Sequence, residues 1–355
     1  MKIAFVYDAA YPFVKGGGEK RIYEIARRLA EHEVDWITLK WWEGKSRIER
    51  HGIGYVGIGE WRELYKDGRR SISEALYFAF KAIPHLLKDY DVIDCSAFPY
   101  FPCFSSRFCS ALKRSRLFVT WHEVWDDYWY EYLGRKGFFG KVVESLVSKL
   151  KAGHIAVSKL TAEMLGRKGC KAEVIPNGVD LEFIESVDSS EEYELIFAGR
   201  LIEEKGADVF IRLCAKLRKK FDFRAAVIGE GPMFGSLRDE SKDQVDFLPF
   251  VEEERFYSLL KGAKLFVLPS KREGFSISAL EAIACDTPVL TIEHELNASK
   301  ELAEMYGFVA KNFDEMLGFA EKILAGEWEA KRPNLSKYDW NSIAKRVEEV
   351  YSKIE

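Results

Sequence analysis

The chain has 355 residues, 47% of them hydrophobic and 14% aromatic, with a net charge of −4; this excludes a disordered chain and is too long for one ordinary core. No apolar run approaches the roughly 18 residues of a membrane span, and the first, at residues 3–7, is broken by Asp8 too early for a signal-peptide core. Six cysteines (95, 103, 109, 170, 214, 285) show no C-x-x-C pairing, so neither a zinc site nor a disulfide frame is indicated, and a soluble cytoplasmic protein is expected. The charge is unevenly spread: residues 1–176 carry 29 Lys+Arg against 22 Asp+Glu, a balance of +7, and the remainder 24 against 35, a balance of −11. A basic first half suits an anionic partner such as a membrane surface, and suits an unevenly solvated surface equally well.

The first strand is predicted over 3–7, followed by the loop Gly16-Gly17-Gly18 and a helix from Glu19 with Ile22, Ile25, Ala26 and Leu29 on one face. A second strand is read at 34–39, and an amphipathic helix at 72–87 with Leu76, Phe80, Ile83 and Leu87 as its stripe. Short strands at 92–93 and 117–120 end at Asp94 and at Trp121-His122-Glu123; a helical stretch near 139–151 and a strand at 154–157 follow. After the turn signal Pro176-Asn177-Gly178 the cycle resumes, with strands at 195–198, 224–228, 245–248, 265–270 and 288–292. Helices are predicted to about Lys220, over 252–261 and over 340–354, the last with Ile343, Val347, Val350 and Ile354 as its stripe. Alternation of this kind makes two doubly wound α/β domains.

The densest signal is Glu273-Gly274-Phe275-Ser276-Ile277-Ser278-Ala279-Leu280-Glu281, directly after the apolar run 265–270. Glu273 falls on the loop outside a strand's carboxyl end, where open α/β sheets bind ligands. Ser276 or Ser278 can cap the following helix, which carries Glu281 about two turns on. Two carboxylates with free helix N–H groups between them suit a long polar ligand with a central phosphate, the shape of a sugar nucleotide. Gly199-Arg200-Leu201 and Lys205-Gly206 follow the strand 195–198 and set two cations where a leaving diphosphate needs them. Gly16-Gly17-Gly18-Glu19 lets backbone approach a ligand at a helix start but is not the dinucleotide fingerprint. His122 sits at a strand's carboxyl end. Asp89-Tyr90-Asp91 has the form of a metal motif, yet it precedes its strand and lies on the wrong side of the sheet. No metal site is expected.

Taken in order, these residues resemble the retaining glycosyltransferases of family 4: the glycine loop at 16–18, Thr120-Trp121-His122, Val157-Ser158 and Val174-Ile175-Pro176-Asn177-Gly178-Val179-Asp180. The match continues through Phe197-Ala198-Gly199-Arg200-Leu201, Lys205-Gly206, Ile228-Gly229-Glu230-Gly231-Pro232 and the Glu273…Glu281 element. The resemblance implies the α/β GT-B fold: two facing Rossmann-like domains with a cleft between them, and a C-terminal helix returning to the first. It implies an acceptor-binding domain of residues 1–176 plus 339–355 and a nucleotide-sugar domain of 177–338. It implies a retaining, metal-independent hexosyltransferase that uses a UDP-, GDP- or ADP-sugar and needs no cofactor. An acceptor sugar or a lipid-linked acceptor is implied as partner, and no nucleic acid. By the same resemblance Arg200 and Lys205 grip the diphosphate, Glu273 meets sugar hydroxyls, Glu281 holds the ribose and His122 reaches the sugar. Donor contacts fall to Gly17, Gly18, Gly199, Gly229, Gly231 and Gly274, and to the N–H groups near Phe275, Ser276 and Ile277. One departure stands out: where the family has a Gly-Gly pair ahead of a Glu, residues 293–301 carry no glycine. A nucleotide-sugar epimerase or phosphorylase, or a non-catalytic sugar-nucleotide-binding protein, would use the same architecture.

The segment 125–151 interleaves Trp125, Tyr128, Trp129, Tyr130, Tyr132, Phe138 and Phe139 with Arg135, Lys136, Lys141, Lys149 and Lys151. It reads as domain core flanking a cleft or as a peripheral contact with the membrane's inner face, extended by Arg62, Lys66, Arg69 and Arg70.

Overall fold

A computed structural model describes residues 1–66 and 69–353, the side chains of 65, 66 and 69 excepted. It divides into two compact units, the first running Met1–Asn177 and resuming at Trp340, the second Gly178–Asp339. Each junction lies one residue beyond the boundary read from the sequence.

In the first unit the order is β1 (Lys2–Val6), α1 (Gly17–Ala26), β2 (Glu33–Lys40), β3 (Arg47–Arg50), β4 (Ile53–Glu60), and the short pair β5 (Tyr65–Lys66) and β6 (Arg69–Arg70). Next come α2 (Ile72–Leu86), β7 (Val92–Ser96), α3 (Phe101–Lys113), β8 (Arg116–Trp121), α4 (Tyr128–Leu133), α5 (Gly137–Ser148), β9 (Gly153–Ala156), α6 (Lys159–Arg167) and β10 (Glu173–Val174). Eight strands form one sheet in the order β10-β9-β8-β7-β1-β2-β4-β3. Its pairings are parallel except that between β3 and β4. Steps from β4 to β7, β7 to β8 and β8 to β9 all run in one direction across the sheet. Right-handed connections therefore set α2, α3, α4 and α5 on one face, and α1, on the opposite step from β1 to β2, on the other.

The helix predicted over 72–87 forms, but its stripe points the other way. Ala75, Phe78, Ala79, Ala82 and Leu86 are buried, whereas Leu76, Phe80 and Leu87 are exposed. Three alanines let α2 approach the sheet and α3 closely, which the larger side chains of the expected stripe would prevent.

The second unit contains α7 (Leu181–Ser186), β11 (Leu195–Ala198), α8 (Ala207–Leu217), β12 (Ala225–Ile228), α9 (Phe234–Ser241), β13 (Asp246–Leu248), α10 (Glu253–Gly262) and β14 (Leu265–Leu268). These are followed by β15 (Arg272–Glu273), α11 (Ile277–Ala284), β16 (Val289–Ile292), β17 (Leu296–Asn297), α12 (Ser299–Ala303), β18 (Gly307–Ala310) and α13 (Phe313–Leu324). Its parallel sheet runs β13-β12-β11-β14-β16-β18. Counted within the unit, that is 3-2-1-4-5-6, the order of a Rossmann fold.

The chain then enters α14 (Trp340–Lys353), which packs on α1. Trp340, Ile343, Val347 and Tyr351 join the first unit's core. Tyr351 Oη donates to the buried carboxylate of Asp94 at 2.5 Å, and Arg346 donates to Val174 O at 2.8 Å. Ile354, the last member of the predicted stripe, lies outside the described residues.

Within 125–151 the tryptophans are core. The fully buried carboxylate of Glu144 accepts from Trp125 N at 2.8 Å, Trp129 Nε1 at 3.2 Å and Tyr100 Oη at 2.8 Å, and pairs with Lys168 at 3.1 Å. Tyr130, Phe138 and Phe139 are exposed instead. Arg70 turns inward onto Asp8, so it adds no surface charge. The side chains of Lys66 and Arg69 lie outside the described residues.

Candidate active site

In a 3-2-1-4-5-6 sheet the order reverses between the first and fourth strands, here β11 and β14, and the crevice beyond their carboxyl ends is where ligands bind. Both loops singled out in the sequence leave from that point. After β11 the chain runs through Gly199, the exposed Arg200 and a short 3-10 turn over Glu203–Lys205. After β14 it runs through Pro269 and Ser270 to Glu273 in β15. Lys271 N donates to Glu204 O at 2.8 Å, fastening one loop to the other.

Lys205 and Glu273 meet as an ion pair, Nζ donating to Oε2. Their side chains are only 16% and 12% exposed, so the pair is held in place rather than loosely solvated. Ser276 caps α11 by accepting from Ala279 N at 3.1 Å, and Ser278 Oγ donates to Ala198 O at 3.4 Å, fixing the helix start to the end of β11. Gly274 and Phe275 lead into that start, and Ile277 is the first helical residue. Glu281, eight residues after Glu273, is buried and accepts from Tyr257 Oη of α10 at 3.0 Å. Tyr257 escaped the sequence reading, because a Tyr on a predicted helix carries no sign that it will reach a carboxylate on the next one.

The glycine-free stretch 293–301 also proves to be part of this site. β17 pairs in parallel with β15, setting Asn297 opposite Glu273, and Ala298 N donates to Glu273 O at 2.8 Å. Fully buried Asn297 donates to Thr291 Oγ1 at 3.0 Å and Ile292 O at 2.8 Å, and its Oδ1 accepts from Ser299 N at 3.0 Å. A closed polar network thus holds the loop against the backbone of Glu273, in the place where the family pattern has glycines.

Gly229 and Gly231 lie one strand away, after β12. A Cβ on Gly229 would come within 2.0 Å of Gly199 O, and one on Gly231 within 2.4 Å of Leu201 O. Leu201 N donates to Glu230 O at 2.8 Å. Close approach of the two loops accounts for both glycines, and it braces the Gly199-Arg200-Leu201 turn from behind.

Gly17, Gly18 and His122 belong to the first unit. Gly16 caps α1 and Gly17 opens it. His122 follows β8, with Nε2 3.3 Å from where a side chain on Gly18 would begin. That nitrogen is sealed from solvent and finds no hydrogen-bond partner among the described residues. Burial, then the positive charge of Arg21, pushes the imidazole pKa down to about 4, only partly opposed by Glu123. His122 is therefore neutral at pH 7, suited to hydrogen bonding rather than to supplying charge. Among the described residues no group of three or more His, Cys, Asp or Glu is arranged to hold a metal ion.

Known proteins resemble this chain in sequence and in fold. A family described as "Glycosyltransferase Family 4" matches residues 15–183, and one described as "Glycosyl transferases group 1" matches residues 180–349. The chain is 31% identical over 212 residues to an uncharacterized glycosyltransferase of Methanocaldococcus jannaschii, covering 51% of this chain and 54% of that protein. It is 26% identical over 204 residues to a subunit of the phosphatidylinositol N-acetylglucosaminyltransferase of Arabidopsis thaliana, covering 53% of this chain and 45% of that protein. The chain thus spans about half the length of these curated relatives. In fold it is similar to sucrose-phosphate synthase from Thermosynechococcus elongatus, with a TM-score of 0.77, 17% identity, and 99% and 98% of the two chains covered. It is likewise similar to Anabaena HepE in complex with UDP, with a TM-score of 0.75, 18% identity and both chains covered in full.

Proposed function

Since the chain belongs to glycosyltransferase family 4 and has the GT-B fold, we propose that it moves a sugar from a nucleoside-diphosphate donor to an acceptor hydroxyl with retention of anomeric configuration. The observation that carries this reading is the Lys205–Glu273 pair beside the N-terminus of α11, at the point where the strand order reverses. Arg200 and Lys205 meet the diphosphate, the helix N–H groups at Ser276 and Ile277 meet phosphate and sugar, Glu273 holds sugar hydroxyls, and Glu281 holds the ribose. His122 hydrogen-bonds the sugar as a neutral imidazole.

Negative charge grows on the diphosphate as the bond from the anomeric carbon to the phosphate oxygen breaks, and Arg200 and Lys205 stabilise it there. The acceptor oxygen bonds the anomeric carbon from the face the phosphate is leaving. Its proton passes to the departing phosphate oxygen, which serves as the base; in this reading no carboxylate acts as nucleophile, and Arg200 and Lys205 take the place of a metal ion on the diphosphate. The donor is a UDP-, GDP- or ADP-sugar. HepE has been solved with UDP-glucose, which makes that compound the first to test. An acceptor sugar, free or carried on a lipid, receives the group.

A screen of nucleotide sugars for slow donor hydrolysis, followed by transfer with the best donor, tests the reading. Release of nucleoside diphosphate with the product sugar in the donor's anomeric configuration is expected. An inverted product, or turnover of the donor to an epimer, overturns it.

A further inference from the structure

The outward stripe of α2 is part of a larger surface. Ile72 (60% exposed), Leu76, Phe80 (70% exposed) and Leu87 follow one another at helical spacing along α2 and just past its end. On α3, its immediate neighbour, Phe108 and Leu112 are exposed four residues apart. On α5, Phe138, Phe139 (71% exposed), Val142 and Leu146 do the same. All three helices lie on one face of the first unit's sheet, and ordinary surface helices turn polar residues outward there.

Charge on these helices is as one-sided as their apolarity. The only carboxylates within α2, α3 and α5 are Glu74 and Glu144, and both are buried. Exposed on or beside the same helices are Lys81, Lys88, Lys113, Arg114, Lys136 and Lys149. Two nearby acids are already paired, Asp89 with Lys113 and Asp127 with Lys141. An apolar row fringed by cations rejects a second copy of itself, which would bring like charges together, and matches an anionic surface with an apolar interior.

We propose that the outer faces of α2, α3 and α5 seat the protein on an anionic lipid bilayer, the apolar side chains entering the headgroup boundary and the Lys and Arg side chains meeting lipid phosphates. No described helix is long and apolar enough to cross a membrane, so the contact is peripheral. The proposal stands apart from the transfer reaction, because none of its residues is placed at the donor site.

The test is sedimentation of the full chain with phosphatidylcholine vesicles, alone and mixed with phosphatidylglycerol, in low and high salt. Preference for the mixed vesicles, weakened by salt, is expected. Phe80→Ser with Phe108→Ser should lower the partition coefficient by at least roughly tenfold, in line with the loss of two large apolar side chains. Lys81→Glu with Arg114→Glu, surface changes that leave the core untouched, should each cost on the order of fivefold and diminish the salt effect. Equal partition into neutral and anionic vesicles, or unchanged binding by both double variants, overturns the proposal. A concentration-dependent dimer in analytical ultracentrifugation that the Phe80→Ser, Phe108→Ser variant dissolves also overturns it, in favour of a second copy.

Discussion

Lys205 and Glu273 hold one another across the two loops that flank the reversal of strand order in the second unit. The pairing orients the ammonium before any ligand arrives, and it means that each residue's removal alters the charge felt by the other.

Loss of the cation should be read in the rate. Lys205→Ala or Arg200→Ala is expected to lower kcat about a hundredfold, on the order of 3 kcal/mol, because the charge they meet is largest in the transition state. Steady-state kinetics on the folded variants with the true donor and acceptor checks this. A near wild-type kcat for either contradicts the assignment.

The two glutamates should separate. Glu281→Ala is expected to weaken binding of free nucleoside diphosphate, and Tyr257→Phe to do so to a smaller extent by releasing the carboxylate that Tyr257 orients. Glu273→Ala should leave that affinity unchanged or raise it, since Lys205 is then free of its counter-charge, while transfer is crippled. Calorimetry with the diphosphate alone decides; equal losses for Glu273→Ala and Glu281→Ala would contradict the layout.

His122 should act without titrating near neutrality. With its pKa lowered to about 4 from the ordinary 6.5, it contributes stability that is fully present above pH 6.5 and is lost as pH falls toward 4. Urea unfolding of wild type and His122→Asn over that range should show a shallower acid loss in the variant. The kcat profile of the wild type should carry no limb from His122 above about pH 6.

Glu74 should pull the other way. Burial, then the neighbouring Asp8, raises its pKa to about 8 from 4.5, against the opposing charge of Arg70. A raised carboxyl contributes stability that is fully present below 4.5 and is lost as pH rises through 8. Glu74→Gln, which keeps the shape and removes the titration, is expected to flatten that decline in urea midpoints. An unchanged slope in the variant would place the titrating group elsewhere.

Much of the second unit was legible because most of its strands are short apolar runs bounded by loops rich in glycine, proline and charged residues. The strand predicted over 195–198 is β11 itself, and Ser276, one of two capping candidates, is the cap. What escaped had local reasons. β4 carries Gly54, Gly57 and Gly59, which dilute its apolar alternation; a Cβ on Gly54 would come within 2.5 Å of Asp35, a neighbour the sequence does not reveal. Periodicity found α2 but not its orientation, because a stripe shows that a helix is two-sided and not which side meets the sheet. Neither the Asn297 network nor the Tyr257–Glu281 bond has a linear signature, since their partners come from separate elements. The absence of glycine at 293–301 was visible in the sequence; its replacement by a hydrogen-bonded strand against Glu273 was not.

The return of α14 to the first unit has a consequence for how the protein is made. Gly178–Asp339 is one unbroken segment, so the second unit possesses its whole core once residue 339 has been translated. The first unit, begun earlier, lacks Trp340, Ile343, Val347 and Tyr351 until α14 leaves the ribosome. The half synthesised first is therefore completed after the second, and a nascent chain halted short of Trp340 carries a finished second unit and a first one whose α1 lacks α14.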